Sequence, residues 1–269
     1  MNDRRSPWAG SAPGAPFVQD DEGMLTLHFD GAAVQSSMDP ARPIDLVLDY
    51  SRLMMAALLF VPAPSRIGMI GLGGGSLVKY CHHHLPDARI EVAEISPEVI
   101  ALRNRFHIPP DDERLRIDCA DGAEWIAQHD NAFDLLLVDG FDIGGQATAL
   151  CTQRFYDHCH AALTPNGLLA INMHADDALH GAYIGRVRAS FANSVSVVTT
   201  DDGVNEIVFA ARGDAFRLSE KQLFQRAAAL QAAQGLDLRR LARPLIDGRR
   251  RDFAPAGRAA VRHVMDGDD

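Results

Sequence analysis

The stretch MIGLGGGSLVKY, residues 69–80, decides the fold: an apolar run closes on four glycines in five residues and then takes up helical spacing. Glycine lets the backbone approach a ligand closely, and a helix beginning there offers free N–H donors. Read alone, the stretch leaves three uses open: a phosphate cradle, a seat for a nucleoside without phosphate, or a tight turn with no ligand. A strict GxGxxG would place its third glycine at Ser76, so the surrounding chain must choose.

Outward from the loop, short β-rich runs alternate with helical stretches. Strands are predicted at 66–71, 89–94, 114–118, 133–139 and 167–173, with helices near 75–85, 97–106, 121–129, 152–163 and 177–191. Apolar strands joined by helix-length crossovers imply a parallel sheet covered on both faces. SVSVVTT and VNEIVFAAR are then separated only by Asp201-Asp202-Gly203, a link long enough for antiparallel pairing and too short for a crossover. The expected class is therefore α/β, a Rossmann-like and mainly parallel sheet ending in an antiparallel hairpin. That ending resembles the S-adenosylmethionine-dependent methyltransferase-type fold and has no counterpart in a simple dinucleotide-binding half.

Residues 1–20, rich in Pro, Gly, Ser and Ala, are expected to form a disordered leader. Residues 21–62 should hold a small β-region, with MLTLHF turning at Asp30-Gly31 into AAVQSS, followed by a helix over 48–60. Residues 63–213 form the expected nucleoside-binding catalytic domain, and 214–269 an appendage with one helix at 219–233 and an Arg-rich segment in which no chemistry is evident.

The 269 residues are 47% hydrophobic, ample for a buried core, and carry a formal net charge of −10. That charge disfavours a nucleic-acid partner, which would demand a basic patch. No run approaches the apolar length of a membrane span, and the N-terminus lacks a continuous apolar targeting segment. Cys81, Cys119, Cys151 and Cys159 form no CxxC pair, which fits a reduced, cytoplasmic setting. Residues 81–84 run Cys81-His82-His83-His84, but neighbouring helical side chains diverge by about 100°, so no metal site is expected.

In open parallel sheets ligands sit beyond the carboxyl ends of the strands. Here those ends read in order as GLGGGS, then Glu94, then Asp121 in CADGAEW, then Asp139 and Asp142 in VDGFD. Glu94 is suited to accept both hydroxyls of a ribose, or is a solvated strand-end carboxylate. Asp121 alone reads equally as a helix N-cap. His174, after the fifth strand, lies near the same rim.

Taken together, Gln35 in AAVQSSM, Tyr50 in LDYSRLMM, GLGGGS, AEIS, ADGAEW and VDGFD resemble the spermidine synthase family of polyamine aminopropyltransferases over roughly residues 24–212. The resemblance implies an aminopropyl transfer from decarboxylated S-adenosylmethionine to a small-molecule amine acceptor such as putrescine, without metal, and a homodimer. By position it implies that Glu94 holds the ribose hydroxyls and that Asp121, next to Gly122, accepts from the adenine amino group. Gly71, Gly73 and Gly75 let the chain pass the sulfonium-bearing tail, and Gln35 lines the same cavity. Asp139 matches the catalytic aspartate, Tyr50 its assisting tyrosine, and Asp142 an aspartate that binds the acceptor. The family loop carries an aspartate that would greet the donor's amine and repel a carboxylate; Gly74 stands in its place here, and Phe141 adds bulk to the acceptor loop. Two other readings stay open: a methyltransferase using ordinary S-adenosylmethionine, and a nucleoside-binding module without catalysis.

Overall fold

A computed structural model describes residues 15–29, 34–142 and 145–252. The chain opens with a three-stranded antiparallel sheet, β1 (Phe17–Asp21), β2 (Met24–His28) and β3 (Ser36–Met38), with β2 in the middle. Phe17–Asp21 pair along the whole of β2, so residues 17–20, expected in a disordered leader, are instead in a strand, while residues 1–14 lie outside the described residues. The Asp30-Gly31 turn lies outside the described residues. Helix α1 (Asp49–Met55) follows, continued by a 3-10 turn over Ala56–Leu59, and Leu53 to Leu59 are all buried.

The central domain then runs β4 (Arg66–Ile70), α2 (Ser76–His84), β5 (Arg89–Glu94), α3 (Pro97–Ala101), β6 (Leu115–Cys119), α4 (Gly122–Ile126) and β7 (Phe133–Val138). A two-stranded hairpin, β8 (Phe141–Asp142) and β9 (Gly145–Gln146), precedes α5 (Gln153–Ala162), β10 (Leu163–His174), α6 (His180–Ser190), β11 (Val195–Thr199) and β12 (Asn205–Ala211). The seven-stranded sheet has the order β11-β12-β10-β7-β4-β5-β6. Strands β4 to β7 and β10 are parallel; β12 pairs antiparallel with both β10 and β11. The predicted terminal hairpin is thus present.

Period-2 alternation divides the strand side chains between two cores. Ile67, Leu135, Leu137, Leu168 and Phe209 enter one; Leu136, Val138, Leu169, Ile171 and Val208 enter the other. Because β4 leads to β5 on one side and pairs with β7 on the other, the sheet changes winding direction between β4 and β7, where a crevice opens at the strand ends.

The appendage holds two helices, α7 (Glu220–Gln234) and α8 (Leu238–Asp252), where one was expected. Helix α8 buries Leu238, Ala242, Leu245 and Ile246 and covers the edge strand β11, with Asp252 accepting from the Val197 N–H at 2.9 Å. Among the described residues no helix is long and apolar enough to cross a membrane.

Candidate active site

The glycine loop enters the crevice directly from β4. Gly71 has φ +94, and a Cβ there would lie 2.1 Å from the Asp139 carbonyl oxygen, so only glycine allows the ends of β4 and β7 to touch. The Asp139 N–H completes this junction on the Ile70 carbonyl at 2.9 Å. Gly75, at φ +65, is the left-handed residue that starts α2. Its missing Cβ makes room for Ile108, and at Gly74 a Cβ would meet Ser36 Oγ at 2.5 Å and the Phe106 ring at 2.9 Å.

Glu94 ends β5 with its carboxylate buried, accepting from the main-chain N–H of Leu72 at 2.8 Å and of Ser96 at 2.9 Å. Each oxygen retains acceptor capacity toward the crevice. Asp121 is the N-cap of α4, its Oδ1 accepting from the Ala123 N–H at 2.7 Å, so the capping role read from the sequence is real and leaves Oδ2 for another donor.

Gln35, Gly71, Gly73, Glu94, Asp121 and Asp139 line one cavity of about 120 Å³, with Gly122 beneath it. An annex of about 20 Å³ shares Gly71, Gly73 and Asp139 and adds Tyr50 and Ser36. Seven of the predicted residues therefore face the main cavity and Tyr50 faces its continuation. Gly75 lines neither, acting through the turn, and Asp142 is exposed on the β8–β9 hairpin, where its neighbour Phe141 is the lining residue. A larger hollow of about 580 Å³ lies by Phe216, Arg217 and Arg249 and gathers none of these groups.

Tyr50 and Asp139 are hydrogen-bonded in the annex. Burial, then the Asp139 charge, then this bond hold the Tyr50 hydroxyl well above its usual pKa, so it remains a donor. Burial also raises the Asp139 carboxyl above the usual carboxylate range, opposed by hydrogen bonds from Asn172 and Tyr50 and by the nearby His174. Asn172 Nδ2 donates to Asp139 Oδ1 at 2.9 Å, and Asn205 Nδ2 donates to Asn172 Oδ1 at 3.0 Å. No sequence motif singles out either asparagine, although Asn172 is the lone polar residue inside the apolar run LLAINM. The His174 ring packs on Phe141 with centroids 4.7 Å apart. In the histidine run, His82 pairs with Asp112 at 3.0 Å while His84 Nδ1 meets the Ala233 carbonyl at 3.0 Å.

The cleft thus has a buried carboxylate with spare acceptor capacity at one end, suited to hydroxyl donors, and a tyrosine–carboxylate pair at the other, suited to a cationic group. A family model described as the spermine/spermidine synthase domain matches residues 49–200. A polyamine aminopropyltransferase of Neisseria meningitidis is 36% identical over 226 residues, 83% of this chain and 86% of that protein. A crystal structure of a probable spermidine synthase from Corynebacterium glutamicum superimposes with a TM-score of 0.66 at 20% identity, over 86% of this chain and 91% of that one. Human Methyltransferase-like protein 13 in complex with SAH does so with a TM-score of 0.61 at 23% identity, over 81% and 98%. At these identities the two structures speak for the fold.

Proposed function

Because the chain belongs to the spermine/spermidine synthase family, we propose that it is a transferase moving an aminopropyl group from decarboxylated S-adenosylmethionine to a small polyamine such as putrescine. The observation that carries this reading is the Tyr50–Asp139 pair, set in an annex that shares Gly71 and Gly73 with the cleft lined by Glu94 and Asp121.

In this reading Glu94 receives the ribose hydroxyls, Asp121 Oδ2 the adenine amino group, and Gln35 and the Gly71–Gly75 loop border the sulfonium tail. The acceptor arrives as an ammonium ion, since an aliphatic amine has a pKa near about 10.4. Ionised Asp139 attracts it, orients it with Tyr50, and takes the proton. The freed lone pair forms the N–C bond at the carbon beside sulfur; the C–S bond breaks, and its electrons leave with a neutral thioether nucleoside. The chain's share is to position the two reactants and move one proton. Asp142, exposed at the mouth, would hold a distal amine of the acceptor.

One observation favours a second reading, methyl transfer from ordinary S-adenosylmethionine. Gly74 puts no carboxylate against the donor tail, and Ser36 and Phe106 fill the space that a side chain there would need. Supplying each donor separately with a panel of polyamines and weighing the products tests both. An aminopropyl mass gain supports the first reading, a methyl gain replaces it with the second, and donor binding without any gain would leave only a nucleoside-binding module.

A further inference from the structure

We infer that Asn172 is the positioning residue for Asp139, held in its donating orientation by Asn205. The inference rests on the transferase reading for its consequence, but its geometry does not. An ionised Asp139 can only accept, so the Asn172 amide turns its NH2 toward Asp139 Oδ1 and its own Oδ1 toward Asn205, whose Nδ2 donates to it. The chain of two amides therefore has one direction, ending on the carboxylate.

The main chain at both asparagines is pinned as well. Asn172 sits in β10 opposite Ile207 of β12, and its main-chain carbonyl accepts from Gln146 Nε2 at 3.2 Å, which ties this stretch of β10 to the β8–β9 hairpin. The Asn205 main chain exchanges two hydrogen bonds with Thr200 Oγ1, its carbonyl accepting at 3.0 Å and its N–H donating at 3.1 Å. Asn172 is 2% exposed and Asn205 9%. Burying two primary amides is costly unless they are partnered, and Leu168 and Ala170, on the same face of β10 as Asn172, show that an apolar residue would serve the sheet. What the pair adds is a fixed plane for the Asp139 carboxylate and a donor that favours its charged form.

The groups acting on Asp139 are Tyr50 from α1, Glu94 from β5, and Asn172 and His174 from β10. Of these, Tyr50 and Asn172 donate hydrogen bonds to it, and Asn172 carries no charge. Removing Asn172's donor makes Asp139 harder to ionise, so less of the proton-accepting form is present at any given pH. In Asn172→Leu the acidic limb of the kcat/KM profile should move up by about one to two pH units. At neutral pH kcat should fall on the order of 10²-fold from misplacement alone, while donor Kd stays constant.

The Asp139 carboxyl resonance, followed by NMR titration, reads the same shift whether or not transfer is observed. Absence of transfer by the wild-type protein would therefore sink the proposed function, while the resonance would still decide whether Asn172 acts on Asp139. An unmoved limb or resonance in a folded Asn172→Leu protein that still binds donor would overturn the inference. Should that variant not fold, Asn205→Ala must give a smaller shift in the same direction, and no shift there overturns it equally.

Discussion

At the end of the cleft assigned to the nucleoside, the carboxylates are held by the main chain: Glu94 by the N–H groups of Leu72 and Ser96, Asp121 by that of Ala123. At the end assigned to the acceptor, Asp139 is held by side chains, Tyr50 from α1 and Asn172 from β10. Main-chain partners come with the turn itself and survive most substitutions nearby. Side-chain partners come from remote segments and set how readily the carboxylate gains and loses a proton. On the proposed function, one end is thus suited to binding and the other to reaction.

The largest expected effect separates the two ends outright. Asp139→Asn removes the proton acceptor and keeps the shape, so turnover should drop by about 10²- to 10⁴-fold with donor affinity nearly unchanged. Stability should move the other way. The folded pKa of Asp139 is raised, so between the ordinary carboxyl value and that raised value the folded state binds the extra proton, and stability falls as pH rises. An asparagine carries no such penalty, and thermal melts at neutral pH should show the variant at least as stable as the parent. A marked loss of stability, or full turnover, would erase the distinction drawn between the ends.

Glu94→Ala probes the binding end. It leaves the Leu72 and Ser96 N–H groups without their acceptor and deletes the proposed ribose contact, so donor Kd should rise about 10- to 100-fold, with kcat at saturating donor much less affected. Calorimetric titration decides it; an unchanged affinity would take the ribose away from Glu94. Asp121→Ala is the milder case. Losing the N-cap of the short α4 should cost about 0.5–2 kcal/mol of stability, measured by denaturant unfolding, with a several-fold weakening of donor binding.

The same contrast explains what is legible in the chain. GLGGGS, Glu94, Asp121 and Asp139 announce themselves because each stands at or just past the end of a short β-rich run that the sequence itself delimits. The Asn172–Asn205 contact depends on the register that sets His174 opposite Asn205 across an antiparallel pair, which no local pattern encodes. Tyr50 and Gln35 are legible only through the family resemblance. Helix α8 shows a different limit: Leu238, Ala242, Leu245 and Ile246 recur at helical spacing, but Pro244 and the six arginines of the same helix read as a polar, broken segment. Pro244 is tolerated within the helix, and α8 is stabilised by packing on β11. The strand β1 is hidden similarly, since FVQDD has one apolar face too short to stand out beside the Pro-rich segment before it.

Asp142 should give the smallest effect, and the reason is its setting. It lies three residues from Asp139 but on the exposed hairpin, whereas Asp139 is desolvated in the annex. An exposed carboxylate attracts a cation through water and is screened by salt, an interaction of about 0–1 kcal/mol. Asp142→Asn should therefore raise the acceptor KM by at most about fivefold, leave kcat and donor Kd unchanged, and lose even that effect at high ionic strength. A loss comparable to that of Asp139→Asn would mean that the hairpin closes over the acceptor and desolvates Asp142 as well. The division would then run between the nucleoside end and an acceptor end containing two desolvated carboxylates.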